Sequence, residues 1–191
     1  MGVHTSTAKE SRLIRVLPSM RLVDPFDLKP EDICIKDIAH HLARICRWNG
    51  GVNGFYSVAE HSIKVAASVA PQFRLWGLLH DAAETYIGDI TRPVKNRLWV
   101  DQKPIQDGAP KIHESIKMKE WRILYAIAEK YGLDLTGDHW EVIPPQVLDA
   151  DEAQLARENS LIKKGRLNGN YPNIAEARFL AVFNKLMEDR K

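Results

Sequence analysis

Residues 57–96 read SVAEHSIKVAASVAPQFRLWGLLHDAAETYIGDITRPVKN and contain two histidines, His61 and His80, on segments with helical periodicity. The opening SVAE has the spacing of a capping box, so a helix is expected to begin there, carry His61 one turn in and end at the next proline. A second helix is predicted over residues 72–86, with His80 near its centre. The two histidines are therefore expected on neighbouring helices.

His80 is followed directly by Asp81. Adjacent side chains on a helix point about 100° apart, so both reach one metal ion only if the helix passes close beside it. The third ligand must then come from a neighbouring helix, and His61 fits that role. Glu84 follows His80 by four residues and lies on the same face, where it can act on the attacking water as a general acid or base without binding the metal.

The segment VLDADEAQLAREN lies on a helix predicted over residues 145–164 and offers a fourth ligand. Leu148 and Leu155 are seven residues apart, and Asp151 lies between them on the side expected to face the core. Asp149 is offset from Asp151 by about 160° and is expected to face solvent. A carboxylate at Asp151 that faces the core requires a cation.

This array resembles the HD-domain metal-dependent phosphohydrolases. A lone histidine, a histidine–aspartate pair and a distant aspartate occur in order, and the segments RICRW, YSVAEHS, LLHDAAE, GDITRPVK and DADEAQLA look like the branch that contains bacterial 5'-deoxynucleotidases and phage dATP triphosphohydrolases linked to 2-aminoadenine DNA. The resemblance covers about residues 21–162. It implies an all-α helical bundle whose metal ligands are His61, His80, Asp81 and Asp151.

The resemblance also implies roles for residues around the metal. Arg47 would contact the substrate phosphate, and Trp48 would stack on the base or sugar. Asp89 would be a second catalytic residue, near the attacking water or the substrate sugar. Lys95 would contact phosphate, and Pro93 would form an apolar wall against the base.

The residues alone leave structural roles open for several of these positions. Arg47 could lie on the surface with Trp48 as a core side chain, because large aromatic residues are mostly buried. Asp89 could cap the next helical turn. Lys95 could be a solvated lysine.

Two imidazoles and two carboxylates form a mixed ligand set that suits Mn²⁺, Co²⁺, Fe²⁺, Zn²⁺ or Ni²⁺. Further Mg²⁺ or Co²⁺ could enter with the substrate phosphates. The expected reaction is cleavage of the 5'-phosphoester of a deoxynucleotide, which releases the nucleoside and either phosphate or triphosphate. The alternatives are a phosphodiesterase for cyclic or signalling nucleotides and a catalytically dead nucleotide-binding HD module.

The 191 residues, 45% of them hydrophobic, suit one domain, predicted over residues 12–191 after a mobile arm at residues 1–11. The 27 basic and 25 acidic residues give a net charge of +2, so no face for a nucleic acid polymer is expected. Two cysteines without metal spacing, and no apolar run of membrane-spanning length, indicate a reduced cytoplasmic protein. The resemblance implies that this is the cytoplasm of a bacterium or a phage-infected host.

Three elements outside the site are also predicted from pattern. They are a possible short hairpin at residues 12–24, a helix over residues 111–131, and a C-terminal helix over residues 173–189 capped by Asn173. The last helix would cover the core or the interface of a homo-oligomer through Phe179 and Phe183.

Overall fold

A computed structural model describes residues 12–102, 112–135 and 142–190, and most of these residues are helical, which confirms the all-α class. The helices are α1 (Ile35–Leu42), α2 (Val58–Ser68), α3 (Arg74–Leu79), α4 (Glu84–Ile87), α5 (Arg92–Lys95), α6 (Ile116–Tyr131), α7 (Pro145–Lys163) and α8 (Pro172–Glu188). Within these ranges no helix is both long and apolar enough to cross a bilayer. The arm predicted at residues 1–11 lies outside the described residues.

The N-terminal hairpin is present. Its strands, β1 (Ile14–Arg15) and β2 (Leu22–Val23), pair antiparallel. The turn between them is fixed to α1, because the backbone N–H and the hydroxyl of Ser19 both donate to the buried carboxylate of Asp37, at 2.8 and 2.6 Å. Two hydrogen bonds to one ionised group hold the hairpin against the helices.

A second antiparallel hairpin, β3 (Trp99–Gln102) with β4 (Ile112–Ser115), was not predicted. The predicted start of the next helix, at residue 111, is therefore wrong, because α6 begins at Ile116. The hydroxyl of Ser115 accepts a backbone N–H and caps α6, which fixes the start of the helix. The predicted end is correct, because Gly132 terminates α6 in the left-handed conformation, with φ 61°.

The helix predicted over residues 72–86 is divided in the structure. Four residues, HDAA, separate α3 from α4 and include His80 and Asp81. Backbone hydrogen bonds in this turn span three residues, as from the Glu84 N–H to the Asp81 carbonyl at 3.0 Å. This tighter winding is of the 3₁₀ type, which often marks a functional position inside a helix.

The start of α2 confirms one half of the predicted capping box. The Ser57 hydroxyl accepts the Glu60 N–H at 3.2 Å. The Glu60 carboxylate does not return to Ser57 but accepts hydrogen bonds from the backbone and side chain of Asn170. Because it is buried, this carboxylate fixes the loop between α7 and α8 to the beginning of α2.

The core lies where α2 packs against α3, α7 and α8. The backbones of α2 and α3 touch at Gly77, since a Cβ at that position would lie only 2.8 Å from the Cα of Ala66. Fully buried apolar side chains fill the rest of the core, among them Ile38, Leu42, Val58, Val65, Leu78, Leu79, Ile127 and Phe179.

The buried face of α7 differs from the predicted one. Leu148 is exposed, so the seven-residue leucine repeat does not mark the core side. Asp149 is exposed, as expected, and Asp151 is half-buried. The buried residues of this helix are Val147, Gln154 and Glu158.

The predicted cap of the C-terminal helix is wrong. α8 begins at Pro172 and Tyr171 takes the cap position, so Asn173 lies inside the first turn. A proline suits this place because the first helical N–H has no partner within the helix. Phe179 and Phe183 are buried within this chain, which is the core role that the sequence allowed for them.

Candidate metal centre

Four predicted ligands meet between α2, the turn after α3, and α7. The Nε2 atom of His61 lies 3.3 Å from His80 Nε2, 3.6 Å from Asp81 Oδ2 and 2.9 Å from Asp151 Oδ1. The Nε2 atom of His80 lies 3.3 Å from the same Asp81 oxygen and 3.8 Å from the same Asp151 oxygen. His61, His80 and Asp81 form a group that could hold a metal ion, and Asp151 adjoins it.

These separations suit ligand atoms that share one ion. Metal–ligand bonds of about 2.1 Å place neighbouring donor atoms about 3.0 Å apart at right angles and about 3.4 Å apart in a tetrahedron. The observed separations between the histidine nitrogens and the carboxylate oxygens run from 2.9 to 3.8 Å.

In each histidine, the hydrogen bond made by Nδ1 fixes the orientation of the ring and therefore the direction in which Nε2 points. His61 Nδ1 lies 2.7 Å from Glu158 Oε1, and His80 Nδ1 lies 2.8 Å from the Gly77 carbonyl oxygen. Both partners are acceptors, so each Nδ1 donates its proton to its partner, and Nε2 is the atom left to bind a metal ion in place of a second proton. Both Nε2 atoms face the carboxylate oxygens of Asp81 and Asp151, at separations from 2.9 to 3.8 Å. This donor set fits a divalent metal ion.

The same crowding shifts the pKa values of the ligands. Burial lowers the pKa of His80, but the facing carboxylates of Asp81 and Asp151 raise it well above its ordinary value. Burial raises the pKa of both aspartates, and the adjacent histidines nevertheless bring each far below the usual range. Both carboxylates are therefore ionised at neutral pH and attract a cation.

Arg47 lies against the centre. Its Nη1 is 3.2 Å from Asp81 Oδ2 and its Nε is 3.2 Å from Glu158 Oε2. The side chain is buried, which excludes the surface position that the sequence left open. Burial opposes its charge, yet Asp81 and Glu158 raise the pKa of Arg47 further above its ordinary value. The guanidinium thus joins a predicted metal ligand to a carboxylate behind it.

Trp48 lies in a strained turn next to Arg47. Trp48 and Asn49 have φ values of 60° and 51°, a backbone region that residues other than glycine rarely adopt. The indole Nε1 is 3.2 Å from Glu158 Oε2, and the residue is half-buried. Its ring therefore lies at the edge of the centre rather than deep in the core.

Glu158 was missed in the sequence analysis. It is fully buried and accepts hydrogen bonds from the loop before α2, from α2 and from α7 itself. Burial raises the pKa of Glu158, but the hydrogen bond from His61 and the charges of His61 and Arg47 lower it to about 2. The only trace in the sequence is its position seven residues after Asp151, which places both on one face of α7.

Glu84, at the start of α4, is buried, and its pKa is shifted in the opposite direction from those of Asp81 and Asp151. Its Oε2 atom has no hydrogen-bond partner among the described residues. Burial, then the charges of Asp81 and Asp89, raise the pKa of Glu84 well above its ordinary value. Asp89 is half-buried, and burial also raises its pKa. Thr91, not Asp89, holds the cap position of α5, so the capping role is wrong for Asp89.

Lys95 is half-buried at the end of α5, and its ammonium lies 2.7 Å from Glu120 Oε1 on α6. Burial lowers the pKa of Lys95, but Glu120 raises it, so the lysine stays charged. Lys95 is therefore not a freely solvated lysine. Pro93 is exposed at the second position of α5. Glu120, like Glu158, carries no sequence pattern that marks it as a site residue.

No family model matches this chain. The chain is 38% identical over 106 residues to the uncharacterized protein YfdR of Escherichia coli K12, an overlap of 56% of this chain and 51% of that protein. It is 47% identical over 90 residues to an uncharacterized protein of Rhodobacter capsulatus, an overlap of 42% of this chain and 45% of that one. The chain spans about half the length of these curated relatives, and neither name carries an activity.

Proposed function

We propose that the protein is a metal-dependent phosphohydrolase of the HD type that cleaves the 5'-phosphoester of deoxynucleotides. A monophosphate would give nucleoside and phosphate, and a triphosphate such as dATP would give nucleoside and triphosphate. The observation that supports this most is that the Nε2 atoms of His61 and His80 lie close to each other and to the carboxylates of Asp81 and Asp151. A divalent cation among these atoms would balance the two carboxylate charges and accept the two nitrogen lone pairs.

His61, His80, Asp81 and Asp151 would hold the ion, which would be Mn²⁺, Co²⁺, Fe²⁺, Zn²⁺ or Ni²⁺. When bound, such an ion supplies Lewis-acid chemistry, because it activates water and offsets negative charge on a phosphoryl group. The remaining work would fall to nearby side chains that do not bind the metal.

Glu84 is proposed as the general acid. Burial and the charges of Asp81 and Asp89 raise the pKa of Glu84 and so favour its protonated form, and its Oε2 has no hydrogen-bond partner among the described residues. It would donate the proton to the leaving 5'-oxygen of the nucleotide, so that the nucleoside departs as a neutral alcohol. Asp89 lies near enough for its charge to raise the pKa of Glu84, which supports a role in the same step.

Arg47 and Lys95 are proposed to bind the phosphates. Each lies beside the carboxylates of the site and each stays charged. Arg47 uses Nη1 and Nε for Asp81 and Glu158, so the remaining N–H groups of its guanidinium would donate to a phosphate oxygen. Trp48 and Pro93 would contact the base or sugar.

The substrates would be free nucleotides of the cytoplasm of a bacterium or a phage-infected host, and the protein would act as a homo-oligomer. Light scattering on the purified protein tests the second point directly, since a monomeric mass would contradict it.

A substrate panel tests the proposed activity. Protein stripped of metal would be incubated with Mn²⁺ or Co²⁺ and dAMP, dATP, dGTP or 2-amino-dATP, and released nucleoside would be measured by chromatography. We expect release from at least one of them and none from His80→Ala. Turnover of only a cyclic nucleotide or guanosine tetraphosphate would indicate a phosphodiesterase. Binding without turnover would indicate a catalytically dead module.

A further inference from the structure

The Glu158 carboxylate is the most heavily hydrogen-bonded side chain described in the protein, and no solvent reaches it. Oε2 accepts from Arg47 Nε and Trp48 Nε1, both at 3.2 Å. Oε1 accepts from Gln154 Nε2 at 3.1 Å and from Tyr56 at 2.9 Å, and it lies 2.7 Å from His61 Nδ1. Five partners surround a group that offers about four lone-pair positions.

The chemistry of these partners fixes where the His61 proton lies. The N–H groups of arginine, tryptophan and glutamine donate and have no lone pair to offer, so Glu158 faces them as an ionised acceptor. An ionised Oε1 atom leaves His61 Nδ1 no role except donor. The other nitrogen, Nε2, faces His80, Asp81 and Asp151 and is the atom left to bind a metal ion.

Glu158 also reaches the far side of the centre through Arg47. The guanidinium lies between Glu158 Oε2 and Asp81 Oδ2, at 3.2 Å from each. A second arm runs through Trp48, whose indole N–H is held by the same Oε2 although the backbone at Trp48 is strained. One buried carboxylate therefore contacts a histidine ligand, a partner of an aspartate ligand and the turn beside the site.

We propose that Glu158 is the positioning residue of the metal centre. It holds His61 in the tautomer that binds a metal through Nε2, and through Arg47 and Trp48 it fixes the edge at which a nucleotide would enter. This inference rests on the metal site of the proposed function but not on the reaction. Outer partners of this kind change metal affinity by about 10–100-fold when they are replaced.

A metal titration tests the inference with a variant of the same shape. Glu158→Gln keeps the size of the side chain but replaces one acceptor oxygen with an amide N–H₂ that faces donors. We expect Co²⁺ alone, followed by its visible absorption, to bind about 10–100-fold more weakly than to the wild type. The matched control is Glu152→Gln on the exposed side of α7, which should bind Co²⁺ as the wild type does.

Nitrogen NMR of the Zn²⁺-loaded wild type provides a readout that needs no variant. We expect His61 to show a proton on Nδ1 and a metal-bound Nε2, and Glu158→Gln to alter the Nδ1 shift. Metal bound through Nδ1, or a variant with unchanged Co²⁺ affinity, would overturn the inference and leave the metal site standing. A wild type that binds neither Co²⁺ nor Zn²⁺ would overturn both.

Discussion

Asp151 and Glu158 lie seven residues apart on α7, and each contacts a different nitrogen of the His61 imidazole ring. Asp151 Oδ1 is 2.9 Å from His61 Nε2, and Glu158 Oε1 is 2.7 Å from His61 Nδ1. A single face of one helix thus holds both sides of a histidine that belongs to another helix. The two carboxylates have different roles, because only Asp151 faces the other predicted metal ligands.

Replacement of Asp151 by alanine should weaken metal binding more than any change behind the ligands. We expect Asp151→Ala to lose about 100-fold or more in Co²⁺ affinity, above the range for outer partners. Calorimetric titration of the metal-free protein measures this. Asp149→Ala, at an exposed position two residues away, is the control and should bind Co²⁺ normally. Equal affinities for the two variants would remove Asp151 from the ligand set.

Glu84→Gln should separate catalysis from metal binding. The amide cannot deliver a proton, so nucleoside release should fall by about 10²–10⁴-fold while Co²⁺ affinity stays unchanged. Chromatography of the products and a Co²⁺ titration of the same sample provide the two readouts. Glu129→Gln on the exposed face of α6 is the matched control. Full turnover in Glu84→Gln would show that the proton comes from another group.

Lys95→Gln should act on substrate affinity. A charge-assisted hydrogen bond to phosphate contributes about 1.5–3 kcal/mol, so the variant should raise KM about 10–100-fold with kcat and Co²⁺ affinity retained. Initial rates over a range of nucleotide concentrations test this. Lys130→Gln, at an exposed position near the end of α6, should leave KM unaltered. A KM that does not move in Lys95→Gln would mean that the lysine serves only its ion pair with Glu120.

The depressed pKa of Glu158 predicts a loss of stability in acid. Because the folded-state pKa is about 2 and the ordinary value is 4.5, the carboxylate stabilises the fold above pH 4.5 and loses that contribution as pH falls towards 2. Between about pH 6 and pH 3 this amounts to about 2 kcal/mol of unfolding free energy. Urea denaturation of the metal-free protein should show a decline smaller by that amount in Glu158→Gln. Parallel pH profiles would contradict the assignment.

The sequence predicted most of the ligand geometry because the spacing that matters is local. His80, Asp81 and Glu84 are close along the chain, so their separation depends only on helical winding. Even there the 3₁₀ turn was missed, since it shows itself in hydrogen bonds rather than in residue types. Asp151 was placed on the correct face for the wrong reason, because Leu148 is exposed and the buried face is polar at Glu158.

Glu158 could not be predicted in the same way. Its donors come from α7, from α2 and from the loop before α2, about a hundred residues earlier in the chain. A glutamate in a helix is usually solvated, and only the folded chain brings these groups around it. The hairpin of β3 and β4 was missed for a related reason, because the two strands pair across a polar connection.

The backbone contact of α2 with α3 at Gly77 and Ala66 also bears on the spacing of the two histidines. His61 precedes Ala66 by five residues and His80 follows Gly77 by three, so the gap between the imidazoles depends on main chain resting on main chain. A methyl group added at Gly77 would push the two helices apart and move the imidazole rings with them. The absence of a side chain at Gly77 therefore lets the two rings lie close together, and Gly77→Ala should weaken Co²⁺ binding in a calorimetric titration.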